Sequence, residues 1–233
     1  SWQSDINYFI QAAGEKMPAE IWDKSFSLIK RIGVAVDAKK DILVDLIPAG
    51  DKRETVIQQL SLAGKMLQEI GSSDVAKVEG LKVIDMKSVF ETTGNKVMEL
   101  MNDAAFVAEG AGSPFDNPFQ LIKETKFKLI KEEGDSAVVQ SSNGKGLEKE
   151  VNLVKVEGKW VPKKASEAFT TQFKVKTDFA LASLDQLKGN SAQLLMGITM
   201  LEGMLKQFED AKTAEDLKAL VQNFMAMRKL MGK

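Results

Sequence analysis

The fold of this chain is decided by the stretch from Lys123 to Lys163, which reads KETKFKLIKEEGDSAVVQSSNGKGLEKEVNLVKVEGKWVPK. Apolar and charged residues alternate here, as in the run Lys126–Leu129, and alternate side chains of a strand point to opposite faces. The rest of the chain is typical of helix. We therefore predict a single sheet in the middle of the chain. Its predicted strands are Lys126–Glu132, Ser136–Ser141, Leu147–Val156 and Lys159–Val161.

Short turns separate the predicted strands. Gly134-Asp135 and Glu157-Gly158 contain a glycine that takes a positive φ without steric cost, and Asn143-Gly144 is a hairpin signal. Pro162 ends the last strand because it has no N–H to donate. Connections this short join antiparallel neighbours, so we expect an antiparallel meander of three or four strands. A sheet of this size needs a partner layer in water, and we expect helices from both ends of the chain to supply it.

Two runs of this sheet, EEGDSAVVQ and EKEVNLVKVEGKW, resemble bacterial exported proteins of the nuclear-transport-factor-two-like superfamily. The resemblance implies a cone-shaped α+β fold and an exported protein, since many of these relatives are lipoproteins of unknown function. The positions that carry it are Gly134, Asp135, Ala137, Val139, Leu153, Val154, Lys155, Gly158, Lys159 and Trp160.

Helical patterns flank the predicted sheet on both sides. We divide the chain into a mainly helical segment (residues 1–113), the β-meander (114–164) and a second helical segment (165–233), packed as one or two domains. The predicted fold class is therefore α+β. Between Asp41 and Ile47 the residues DILVDLI fit a strand or a helix, and the sequence leaves both open.

Three further boundaries follow from local signals. One helix is expected to end near Val36, and Gly94 is expected to break another. The last two helical segments should form an antiparallel hairpin. Thr213 should cap the final helix, with Asp216 three residues later.

The composition excludes several classes of site. The chain has no Cys and no His, so a disulfide, a thiolate or imidazole metal site and a Ser-His-Asp triad are all excluded. A net charge of -1 argues against a nucleic-acid-binding protein. We expect no metal and no cofactor.

The compartment is predicted from weaker signals. No apolar run has transmembrane length, and no signal peptide is visible. The chain starts at Ser1 instead of Met, which we take as the mark of a mature form. Together with the resemblance, this favours a periplasmic or other extracytoplasmic location, with the cytoplasm as the alternative.

The candidate binding residues are apolar. Met196, Met200 and Met204 recur every four residues on one helix face, where they would form an adaptable surface for a partner or fill gaps in the core. Trp160 and Phe127 would line a cleft between the sheet and the helices, or anchor the hairpin in the core.

These residues favour a non-catalytic, exported binding or interaction protein. Its partner would be a protein or a small apolar ligand, and the chain could form an oligomer. The alternative is a small-molecule enzyme that uses a carboxylate as acid or base in a cone-shaped pocket. The carboxylates considered for that role are Asp103, Glu109 and Asp116.

Overall fold

The computed structural model describes residues 2–47, 50–110, 125–142 and 148–231. Helices occupy the chain before the sheet, with 3₁₀ turns at Val44–Leu46, Gly50–Lys52 and Asp74–Ala76. These helices are α1 (Trp2–Lys16), α2 (Ala19–Leu43), α3 (Arg53–Ser72), α4 (Val78–Lys82), α5 (Met86–Val89) and α6 (Asn95–Gly110).

The predicted meander is confirmed. The strands form one antiparallel sheet in the order β1-β2-β3-β4, and Pro162 ends the last one. The expected Asn143-Gly144 turn lies outside the described residues. A bulge in β1 between Leu129 and Lys131 was not predicted. The strands are β1 (Lys126–Glu133), β2 (Ser136–Ser142), β3 (Glu148–Val156) and β4 (Lys159–Pro162).

The β3–β4 turn shows why glycine stands where it does. Glu157 and Gly158 both have left-handed backbone conformations, with φ of 52° and 78°. Two successive positive φ values match the right-handed twist of the flanking strands, and glycine adopts the second without steric cost. The Glu157 side chain then faces the start of α1, where its Oε1 accepts a hydrogen bond from the Trp2 backbone N–H at 2.9 Å.

Three helices follow the sheet, namely α7 (Lys163–Gly189), α8 (Ser191–Asp210) and α9 (Ala214–Met231). Helix α7 contacts β3, β4 and α1, so helices from both ends of the chain meet the sheet. The predicted α+β class with a sheet packed against helices is confirmed. Strand β1, at the far edge from α7, is exposed along its whole length.

Helix α2 lies at the centre of the helical part. It packs along α3 and also contacts α4, α8 and α9. At the α2–α3 crossing, a Cβ added to Gly33 would lie 2.5 Å from the Gly64 carbonyl oxygen. The two backbones therefore touch. On the other side of α2, Leu28 and Ala35 form a buried cluster with Leu205 of α8.

The structure answers one question that the sequence left open, and it shows that two predicted helix boundaries are wrong. The segment Asp41–Ile47 contains no strand, because α2 continues to Leu43 and a 3₁₀ turn follows; the helix thus passes the expected end near Val36. Gly94 does not break its helix, since a π-helical turn at Phe90–Gly94 carries the chain into α6. Helix α9 contacts both α8 and α2, and the predicted antiparallel hairpin of the last two helices stays a prediction.

Candidate functional site

A cleft of about 380 Å³ lies between α1 and α7 and is lined mainly by aromatic rings. The rings stack against one another: Trp2 and Phe169 have centroids 4.4 Å apart, as do Phe169 and Phe173. Phe9 meets Phe173 edge-on at 6.2 Å. The aromatic lining residues are Trp2, Tyr8, Phe9, Phe169 and Phe173.

Helical spacing brings these rings together. Residues three, four or seven positions apart lie on one helix face, which places Trp2 and Phe9 on the same side of α1. Phe169 and Phe173 are four residues apart on α7 and stack for the same reason. Four of the rings are half-buried and Tyr8 is exposed, so the stripes meet at one side and open to solvent at the other.

Several contacts hold the two helices in place. At the end of the cleft near Trp2, α1 is joined to the β3–β4 turn of the sheet by the Trp2–Glu157 hydrogen bond. At the other end, Lys16 Nζ lies 2.7 Å from Asp185 Oδ2 of α7. Helix α1 also packs closely on α4, since a Cβ added to Gly14 would lie 2.9 Å from Leu81 Cβ.

Helix α4 is itself fixed to the central helix α2. The Val78 backbone N–H donates to Asp23 Oδ1 at 3.0 Å, and the Trp22 indole N–H donates to the Val75 carbonyl at 2.7 Å. The position of α1, and with it one wall of the cleft, therefore follows from the packing around α2.

Two carboxylates, Asp5 and Asp178, also line the cleft, together with Thr170, Thr177 and Leu181. Within the described part of the chain, neither forms an ion pair, and no lysine or arginine lines the cleft. The cleft thus combines an apolar aromatic floor with negative charge on each helix.

The described residues offer little for catalysis. They contain no cluster of acidic side chains suited to a metal ion. No Asp or Glu whose burial is described is buried, so none of them lies in the kind of apolar pocket that the acid–base alternative requires. Asp103 is exposed on α6. Asp116 and the side chain of Glu109 lie outside the described residues.

The structure does not bring Phe127 and Trp160 together. Phe127 pairs with Ser141, which pairs with Lys149, whereas Trp160 pairs with Lys155 six residues further along β3. The two aromatic side chains share a face but stand at opposite corners, about 14 Å apart across the strands and about 20 Å along them. Phe127 is 67% exposed and Trp160 37% exposed, with Lys155 Nζ 5.6 Å from the Trp160 ring centroid.

The predicted methionine stripe lies largely on the surface. Met196 and Met200 of α8 are 70% and 38% exposed, and Met204 is half-buried. The core-facing residues of α8 are instead Ile198 and Leu205. The three methionines, which we call the methionine face, are therefore not gap-filling core residues as a set.

The aromatic cleft was missed in the sequence. Sequence patterns place Phe169 and Phe173 within a helical segment (residues 165–233) and give no reason to single out Trp2. An available signal was the presence of two helices, far apart in the chain, that each carry aromatic residues on one face. Such a signal indicates two apolar stripes but not that they meet, because the contact joins residues 2 and 169.

The chain matches no protein-family model, and no curated protein or solved structure shows significant similarity to it. The resemblance to exported nuclear-transport-factor-two-like proteins therefore stays a prediction. Within the described residues, every helix is too short or too polar to cross a lipid bilayer.

Proposed function

We propose that this is a non-catalytic binding protein that holds a small, largely apolar ligand in the cleft between α1 and α7. The observation that carries the proposal is the stack of Trp2, Phe169 and Phe173, in which all three rings are half-buried at the edge of the cleft. Aromatic rings contribute large contact areas on binding. The cleft volume of about 380 Å³ is also in the range of small-molecule sites.

The wall contacts support a cleft that exists before the ligand arrives. At one end of the cleft, Glu157 accepts a hydrogen bond from the Trp2 N–H of α1. At the other end, Asp185 of α7 pairs with Lys16 of α1. A preformed site binds more tightly because less conformational freedom is lost on binding. The whole chain has no Cys and no His, the side chains that most often act as nucleophile or general base, and this favours a binding role over a catalytic one.

A titration with benzyl alcohol, a neutral aromatic probe, tests this proposal. We expect saturable shifts of the Trp2 indole N–H resonance, assigned with a Trp2→Phe variant. Phe169→Ala should weaken binding at least about tenfold, because stacking on one ring is worth about 0.5–1.5 kcal/mol before its buried area is counted. Phe127→Ala is the matched control, since Phe127 is an exposed ring far from the cleft. Equal effects of the two substitutions would contradict the proposal.

A second candidate function is association with a protein partner through the methionine face. Its support is the exposure of Met196 and Met200, beside the 45% exposed Leu201. Contiguous exposed apolar residues mark interaction surfaces, and methionine adapts to varied partners. Native mass spectrometry tests self-association: a dimer that Met196→Glu converts to monomer supports this role, and a monomer at every concentration argues against a second copy as the partner.

The extracytoplasmic location is proposed on the sheet resemblance alone. Fractionation of cells that express the full-length gene product tests it. Recovery in the periplasm or envelope is expected, and recovery in the cytosol would contradict both the location and the value of the resemblance.

A further inference from the structure

The two charged side chains that are described as lining the aromatic cleft are both acidic. Asp5 of α1 and Asp178 of α7 line it, and among the described residues no basic side chain does. Both helices carry lysines in their sequences. Lys16 of α1 pairs with Asp185 of α7, and this pair lies outside the cleft. The carboxylates inside the cleft have no such partner within the described chain.

The two carboxylates differ in their position relative to the helix dipole. Asp5 lies in the first turn of α1, where a negative charge also favours the positive end of the helix dipole. Asp178 lies in the interior of the 27-residue helix α7, where the dipole gives it no such role. An anionic ligand would meet two negative charges here, and the carboxylates would add nothing to the binding of a purely apolar one.

We propose that the ligand of this cleft is an organic cation, with an ammonium or quaternary ammonium group on a small apolar body. This inference rests on the proposed function and names its ligand class. A cation over the face of Trp or Phe is attracted by the ring quadrupole, and carboxylates add Coulomb attraction. The stacked Trp2 and Phe169 supply such faces from both helices.

Choline and 3,3-dimethyl-1-butanol form a matched test pair, because the alcohol replaces the quaternary nitrogen with carbon at almost the same size. Both are titrated into the full chain and followed at the Trp2 indole N–H. We expect choline to bind at least about tenfold more tightly, as one or two cation–π contacts with carboxylate support would give. Raising the salt concentration should weaken choline binding and leave the alcohol unchanged.

The double variant Asp5→Asn/Asp178→Asn should reduce the preference for choline to less than about threefold while both probes still bind. Its control is Glu15→Gln/Glu167→Gln, which removes the same charge from the same two helices at positions that do not line the cleft. The control should keep the preference. Asp178→Asn alone serves if the double variant is unfolded by circular dichroism.

The outcomes separate the ligand class from the binding function itself. If benzyl alcohol binds and choline binds no more tightly than its neutral analogue, the inference is overturned and the binding function stands. The inference is also overturned if the control loses the preference as fully as the double variant, because general attraction to an acidic surface then explains it. If none of the probes reaches the cleft, the proposed function fails together with the inference.

Discussion

Two helix pairs of this molecule are joined in opposite ways. Where α2 crosses α3, Gly33 and Gly64 let the backbones touch, and the Ser61 hydroxyl donates to Asp37 Oδ1 at 2.6 Å beside them. That hydrogen bond is the main reason why the pKa of Asp37 is lowered. Where α1 faces α7, aromatic rings fill one side of the gap and leave the other side open.

The difference shows that the size of the residues at a helix contact sets how closely the two helices pack. Because glycine has no side chain, two helices can approach until their backbones touch. No space then remains for a larger residue, so the crossing tolerates little change. Large rings at a half-buried junction hold helices apart and leave surface that is not yet covered. The first pair therefore supports the fold, and the second has room for a ligand.

The largest expected effect is at the tight crossing. Gly64→Ala should lower the free energy of unfolding by about 3 kcal/mol, the upper part of the range for overpacking. Its Cβ would lie 2.7 Å from the Gly33 carbonyl oxygen and 3.0 Å from the Asp37 backbone nitrogen, so the helices must separate. Urea unfolding measures the change.

Gly197→Ala is the control for that substitution. An added Cβ at Gly197 of α8 meets nothing within 4 Å. Because alanine favours a helix over glycine, stability should rise by about 0.5–1 kcal/mol. If Gly64→Ala also left stability unchanged or raised it, the α2–α3 crossing would not be the tight joint described above.

An intermediate effect is expected at the open pair. Phe173→Leu should cost about 1–2 kcal/mol of stability, because it removes the ring contacts with Phe169 and Phe9 but creates no closed cavity. Phe127→Leu, at an exposed ring, should stay within about 0.5 kcal/mol. A loss at Phe173 as large as that at Gly64 would show that α1 and α7 are packed as tightly as α2 and α3.

The smallest expected effect concerns Asp216 at the start of α9. Its Oδ2 accepts from the backbone N–H groups of Lys212 and Thr213, both at 2.9 Å, and these bonds lower its pKa. A lowered pKa in the folded state stabilises the fold above the ordinary carboxyl pKa, and this contribution is lost as the pH falls through the folded value. Asp216→Asn should therefore be slightly less stable than the parent chain at about pH 7 and nearly equal to it at about pH 2.

Chemical unfolding of both proteins at the two pH values tests this. A difference that grows toward low pH would have the wrong sign for a stabilising carboxylate. Because Asp216 does not line the cleft between α1 and α7, Asp216→Asn should not alter binding there.

Short-range sequence signals were enough for the sheet and for one helix start. The predicted strands agree with the observed ones to within a residue at each described end, because alternation and turn residues are local properties. The Thr213–Asp216 cap is likewise confirmed, since Asp216 N–H donates to Thr213 Oγ1 while Asp216 accepts from Thr213 N–H.

Predictions that depended on partners distant in the chain were less successful. The residues of Asp41–Ile47 fit two structures by composition, and packing at the end of the central helix decided for helix, with Val44 almost fully buried. The predicted break at Gly94 was wrong because a π-helical turn at Phe90–Gly94 continues directly into α6. The methionine face was identified, but whether it lay in the core or on the surface depended on which side of α8 met α2.

Local sequence patterns specify an antiparallel meander between helical segments, and the lack of Cys and His excludes thiol, imidazole and Ser-His-Asp sites. Two features follow from tertiary packing instead: the central position of α2, and the meeting of the Trp2 and Phe169 rings in a cleft that also holds two carboxylates. The two kinds of feature differ in how far along the chain the interacting residues lie. Strand alternation, turns and caps depend on neighbours along the chain, whereas the cleft depends on how α1 and α7 are placed by contacts that no short stretch of sequence contains.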